Sequence, residues 1–294
     1  MRWRPAIALG AAILAGLTLT GSAEEPRPGQ FLGRFTWTLD HVQFGGFSGL
    51  DFSDDGATFQ AITDRGHLAT GRIRRDGGTI RGVDLIAFRP LETSAPDSKF
   101  ENDSEGLALS GDRIIVSFEQ SHTVHAISRE GKKTTLPRHP DFGRFPSNGG
   151  IEALAIDTSG RLHALPERFH YSGAAPVYRL ERGQWRVIHK LTRSGGFVPV
   201  GADFGPDGAL YVLERAFTGL AFASRVRRVV ETGNGWHDTT VLQTPPGRHD
   251  NLEGLAVSHD EQGRIRLTMI SDDNFRFFQR TEIVEYAVEQ PGQE

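Results

Sequence analysis

One short pattern recurs five times along the chain, and it constrains the fold more than any other feature. Each copy runs through an apolar alternation to a turn, then through a second apolar run to an acid. The copies are Ser48-Gly49-Leu50-Asp51-Phe52 leading to Asp64, Glu105-Gly106-Leu107-Ala108-Leu109 leading to Glu119, and Glu152-Ala153-Leu154-Ala155-Ile156 leading to Glu167. Two more follow: Val200-Gly201-Ala202-Asp203-Phe204 leading to Glu214, and Glu253-Gly254-Leu255-Ala256-Val257 leading to Asp272. Alternation with a period of two, interrupted by a turn, is the pattern of a half-buried β-hairpin. The small residues Gly49, Gly106, Ala153, Gly201 and Gly254 are spaced by 57, 47, 48 and 53 residues, close to the length of a β-propeller blade.

Two further strand-like stretches follow each hairpin, as Val177–Leu180 and Trp185–Ile188 do in the third copy. The expected fold is therefore all-β, a propeller of five four-stranded blades, with a degenerate sixth left open by the spacing. The fifth unit lacks a strand, because the chain nearly ends after Ile283–Val288. Residues Phe31–Leu39 supply one, and pairing of the N- and C-terminal segments closes the ring without a free edge. The 35 Gly and 15 Pro against 2 Met suit short strands and tight turns. Asp54-Asp55-Gly56 and Pro206-Asp207-Gly208 read as such turns, since neither has the spacing of a calcium-binding EF-hand loop.

Arg2 and Arg4, an apolar run from Ala6 to Thr20 and the small residues Gly21-Ser22-Ala23 read as a secretory signal peptide over residues 1–23. Residues 24–294 are then a single propeller domain, periplasmic or secreted, with no membrane span after cleavage. A net charge of −4 provides no basic field for nucleic acid. The absence of cysteine removes disulfides, thiolate nucleophiles and Cys-type zinc sites. No serine-hydrolase elbow, phosphate loop, HExxH pair or dinucleotide fingerprint occurs, so a nucleophile, if one is needed, is water.

In an antiparallel hairpin the start of one strand lies beside the end of the next. This pairs Glu105 with Glu119, Glu152 with Glu167, and Glu253 with Asp272, while Asp64 and Glu214 stand as trailing acids without a leading partner. Carboxylates converging on one channel mouth repel unless a cation neutralises them. Hard oxygen donors suit calcium, with Asn102, Asn148, Asn251 and Asn274 nearby in sequence. The other reading is hairpin ends paired with arginine, as Asp64-Arg65, Glu167-Arg168 and Glu214-Arg215 suggest. Arg65, Arg168 and Arg215 are equally candidate clamps for a small anionic substrate. His67, His122 and His170 each follow a trailing acid by three residues and are candidate general acids or bases (His122 and His170) or transition-metal ligands, against an architectural role in the blade.

Taken in order, Ser48-Gly49-Leu50, Thr63-Asp64-Arg65-Gly66, Asp103-Ser104-Glu105-Gly106-Leu107-Ala108, Asn148 to Ala155, Leu213-Glu214-Arg215, and Asn251 to Ala256 ending in Ser271-Asp272-Asp273-Asn274 resemble the phytase-like family described as having "esterase-like activity of phytase". The resemblance implies a secreted bacterial propeller that hydrolyses phosphoesters or other esters with calcium. Val200 departs from it where three copies carry an acid, as does Phe118-Glu119-Gln120 where a more acidic segment is usual. A metal-dependent sugar lactonase and a non-catalytic propeller that binds a ligand or a protein are the competing functions.

Overall fold

The computed structural model describes residues 29–53, 56–91, 102–168 and 173–289. The expected signal segment and His170 lie outside them. Strand β1 (Gln30–Thr36) comes first, and the blades follow in chain order. Blade one holds β2 (Phe47–Phe52), β3 (Phe59–Thr63), β4 (His67–Asp76) and β5 (Thr79–Pro90). Blade two holds β6 (Ser104–Ser110), β7 (Arg113–Phe118), β8 (Thr123–Ser128) and β9 (Lys133–Thr135). Blade three holds β10 (Ile151–Ile156), β11 (Leu162–Pro166), β12 (Ala174–Glu181) and β13 (Gln184–Thr192). Blade four holds β14 (Val198–Phe204), β15 (Leu210–Phe217), β16 (Phe222–Thr232) and β17 (Gly235–Gln243). Blade five holds β18 (Asn251–His259), β19 (Ile265–Asp272) and β20 (Glu282–Val288), and β1 completes it by pairing antiparallel with β20. The protein is a five-bladed β-propeller, with no sixth blade among the described residues.

The innermost strands β2, β6, β10, β14 and β18 pack on one another in a closed ring. They approach so closely that side chains are excluded. A Cβ on Gly201 would lie 2.3 Å from the Glu253 carbonyl oxygen, and one on Gly254 would lie 2.9 Å from the Leu50 amide nitrogen. This close approach explains the small residue in every copy. Between blades, apolar side chains fill the gaps: Tyr211, Leu213, Leu255 and Met269 share one cluster, and Ile62, Leu107 and Val116 share another.

Polar links tie neighbouring blades together. The Ser104 hydroxyl donates to the Thr63 carbonyl at 2.7 Å, and that of Ser117 donates to the Ile151 carbonyl at 2.7 Å. At the other end of the inner strands, the Leu109 amide donates to Asp51 and the Val257 amide to Asp203, both at 2.7 Å. Pro206-Asp207-Gly208 forms a turn, with Gly208 at φ 74° and its amide bonded to the Gly205 carbonyl. Asp207 there pairs with Arg228 at 2.8 Å. Residues 54–55 of the other Asp-Gly turn lie outside the described segments.

Candidate functional site

Every innermost strand carries the same irregularity. The register with the second strand slips by one residue between Phe47 and Gly49, Ser104 and Leu107, Ile151 and Ala153, Pro199 and Gly201, and Leu252 and Gly254. A bulge leaves one residue out of the ladder and re-aims its side chain. The bulges fall at the leading positions: Ser48, Glu105, Glu152, Val200 and Glu253. At that level the channel narrows to a volume of about 10 Å³ lined from all five blades.

Register also fixes the trailing positions. The Asp64 amide donates to the Gly46 carbonyl, that of Glu119 to Asp103, and that of Glu167 to Gly150, while Asp272 pairs with Asn251. Each trailing acid thus faces the residue two before the bulge. In blade four the residue two before the bulge is Val198, and its partner is Arg215. The expectation that Glu214 is the fourth trailing acid and a metal ligand is therefore corrected: a guanidinium stands where the other blades have a carboxylate. Adjacent strand residues point to opposite faces. Glu214 accordingly lies between blades, bonded by Arg225 at 2.7 Å and by Arg227 at 2.6 and 3.0 Å.

Arg215 organises one side of the mouth. Its Nη1 donates to Asn251 Oδ1 at 2.8 Å and to a Glu253 carboxylate oxygen, and its Nη2 donates to Glu167 Oε1 at 3.1 Å. Asn251 Nδ2 in turn donates to Glu253 Oε1 at 2.7 Å. Burial works against the charge on Arg215, but Glu253, Glu167 and Glu152 outweigh it and hold its pKa up. Arg215, expected as a substrate clamp, is thus already engaged by three side chains of the site. Burial lifts Glu253 above the usual carboxylate range even so, and lifts Asp272, beside Glu253 and Asp64, to about 8.

The other side of the mouth is acidic throughout. Carboxylate oxygens of Asp103, Glu105 and Glu119 lie within 4.8 Å of one another. Burial pushes Glu105 well above its ordinary value, and Glu152, Glu253, Glu119 and Asp103 push it further. Glu152 is raised likewise by burial and then by Glu167 and Glu119, with Arg215 opposing. Glu119 is raised by burial, partly offset by hydrogen bonds from Glu152 and from the Gly149 amide at 2.5 Å. Asp103 is the member that the repeat pattern missed; its position two residues before Glu105 is the signal that marks it.

The remaining expected residues are dispersed. Arg168 pairs with Glu167 at 3.1 Å and is 58 % exposed, so its charge stands largely in solvent. Arg65 lies over the Phe275 ring, 3.2 Å from its centroid. His122 follows Glu119 in a tight turn at φ 47°, with its ring against Phe145 and Nδ1 toward Gly150. Burial and then Arg138 lower its pKa, so it is neutral near pH 7. His67 stacks on Phe88 beside His41, an architectural contact.

A model of the phytase-like family, described as "esterase-like activity of phytase", matches residues 42–275. No curated protein matches the chain. Among solved structures, a protein assigned as a gluconolactonase is similar at 15 % identity and a TM-score of 0.50, over 86 % of this chain and 78 % of that one. A gluconolactonase from Xanthomonas campestris is similar at 12 % identity and TM-score 0.47, over 91 % and 89 % of the two chains. Virginiamycin B lyase from Staphylococcus aureus is similar at 16 % identity and TM-score 0.43, over 88 % and 74 %. At these identities the likeness is one of fold. Among the described residues no helix is long and apolar enough to cross a membrane.

Proposed function

The chain belongs to the phytase-like family, and from that premise we propose that its channel mouth is a calcium-dependent site hydrolysing phosphoesters or other anionic esters. The observation that carries this reading is the Asp103, Glu105 and Glu119 cluster, with Glu152 alongside and only acids acting on Glu105. The donors fit the ion, since carboxylates are hard oxygen ligands and calcium accepts an irregular shell of six to eight of them. Asp103, Glu105, Glu119 and Glu152 would hold the ion, which would supply compensating charge and Lewis acidity at the mouth.

The chain's own groups do the rest. Arg168, exposed at the rim, meets the substrate anion, for which its planar guanidinium is matched. Arg215 holds Glu167 and Glu253 in place and keeps that side of the mouth from repelling an anion. His122, neutral near pH 7, is the candidate proton acceptor. The export signal read in residues 1–23 supports a periplasmic or secreted location for this activity.

The test is a turnover screen of phosphomonoesters, phosphodiesters, carboxyl esters and lactones, with calcium and with chelator, on the wild type and Glu105→Gln. Calcium-dependent turnover of an anionic ester that Glu105→Gln abolishes supports the reading. Turnover of lactones alone, or of none of the four classes together with unaltered stability in calcium, overturns it.

A further inference from the structure

A second concavity lies away from the mouth. It sits between blades one and two, has a volume of about 120 Å³, and is bordered by Arg89, Arg113 and Arg129 against a single acid, Asp112. Arg113 begins β7 directly after the β6–β7 turn, and Arg129 follows the end of β8, with Arg113 and Ser128 paired across the ladder. That turn is at the far end of β6 from the mouth, about seven residues or roughly 20 Å away at 3.3 Å per residue. The two sites therefore do not share ligands.

The chemistry of the cleft is one-sided. Among the described residues none of the three arginines forms an ion pair, and Arg89 makes only a 3.3 Å bond to the Pro90 carbonyl. Other arginines of this protein are matched, Arg225 and Arg227 with Glu214, Arg228 with Asp207 and Arg264 with Asp260, whereas Arg65, Arg72 and Arg138 form no ion pair among the described residues. Three guanidiniums around a cleft whose described lining holds one acid, Asp112, with Glu130 next to Arg129 in the chain, leave positive charge in excess and favour an anion, since each presents paired N–H donors suited to phosphate or carboxylate oxygens. The floor is apolar, made by Leu68, Ile114 and Ile127 of the cluster between the blades. Gln60 lines the same cleft, and its buried Oε1 accepts no hydrogen bond within the protein. A buried acceptor left without a donor is costly, and a ligand hydroxyl would satisfy it.

We propose that this cleft is a second binding site, for a small hydroxylated organic anion held by Arg113, Arg129 and Arg89 through its charged group and by Gln60 through a hydroxyl. The cleft is open and has no acid–base pair, so it binds without reaction. A phosphate or a carboxylate offers the same chemistry to the arginines, and the experiment separates them.

The experiment titrates the full-length protein, with calcium chelated, with glycerol 3-phosphate, glycerate and inorganic phosphate, using calorimetry and amide chemical-shift mapping. Expected are a dissociation constant below about 1 mM for one of the two organic anions, weaker binding of inorganic phosphate, and shifts at Gly111–Ile114 and Thr70. Arg113→Gln combined with Arg129→Gln is expected to weaken binding at least about tenfold, the effect of losing a charge-assisted hydrogen bond. Glu105→Gln and Arg168→Gln at the mouth are expected to leave it unchanged. Shift mapping on the wild type needs no variant, so a poorly folding double variant does not block the test. Absence of binding up to that concentration, shifts confined to the mouth, or loss of binding in Arg168→Gln would each overturn the proposal.

Discussion

The two sides of the channel mouth solve the same electrostatic problem differently. On the side of blades three to five, Glu167 and Glu253 surround Arg215, with Asn251 bridging, so the chain carries its own cation. On the side of blades two and three, Asp103, Glu105 and Glu119 gather beside Glu152; burial and neighbouring acids raise Glu105, Glu119 and Glu152, and Arg215 opposes the shift at Glu152. Both sides are built from the same bulged hairpin. Blade four supplies Arg215 at the trailing position and Val200 at the leading one, whereas blade two adds Asp103, so one wall is neutralised from within and the other carries the donors of a candidate metal site.

The largest effect expected from this contrast is on the pH dependence of stability. A carboxyl whose folded pKa lies above its unfolded value keeps its proton in the folded state and gives it up on unfolding. Its contribution is complete below the unfolded value and is lost as pH rises through the folded one. For Asp272 that window runs from 3.8 to about 8, and Glu105, Glu152 and Glu253 act in the same direction. The calcium-free protein should therefore melt at progressively lower temperature as pH rises across this range. Calcium at 100 times its dissociation constant should restore about 2.7 kcal/mol near neutral pH. Asp272 and Glu253 stand on the Arg215 side and Glu105 and Glu152 on the other, so a flat profile in chelator would show that neither wall is short of positive charge.

Removing the internal cation should make the complete wall resemble the other. Arg215→Met leaves Glu167 and Glu253 buried without their partner, a change that costs about 3 kcal/mol when one member of a buried pair is lost. Denaturant unfolding in chelator near pH 7 measures this loss, and added calcium should recover more stability in the variant than in the wild type. An unaltered midpoint would mean that Arg215 is not what neutralises this side.

Arg168 sharpens the comparison from the opposite direction. It pairs with the same Glu167 but is 58 % exposed, against 22 % for the side chain of Arg215. Solvent and salt screen such a pair, so Arg168→Ala should change stability by less than about 1 kcal/mol. Under the proposed function it should instead raise KM for an anionic ester while leaving the melting temperature in place. A destabilisation equal to that of Arg215→Met would show the two arginines to be equivalent.

Most of the architecture is legible in the residue order because it rests on local pattern. Period-two alternation marks the strands, the small residue in each copy marks the crowded ring, and Phe31–Leu39 stands where blade five is one strand short. The acids of blades two, three and five are legible for the same reason, each pair flanking one hairpin. Blade four is not. Counting from Gly201, Glu214 and Arg215 both fall within the spread of spacings that the other hairpins show, because their loops differ in length. The choice between them depends on where the bulge at Val200 places the register with β15. A slip of one residue turns a side chain to the other face of the strand.

Residue order by itself therefore determined the five-fold repeat, the strands, the shared final blade and the convergence of acids on one end of the channel. Tertiary structure decided which side of the mouth is neutralised from within, that Asp103 joins the acidic cluster, and that Arg89, Arg113 and Arg129 meet in a cleft between blades. Arg215 and Glu167 come from different blades, as do Arg89 and Arg113, while Asp103 joins Glu105 and Glu119 of its own hairpin. Their geometry is set by how the blades pack and by the register of each bulged strand, and neither leaves a periodic trace in the sequence.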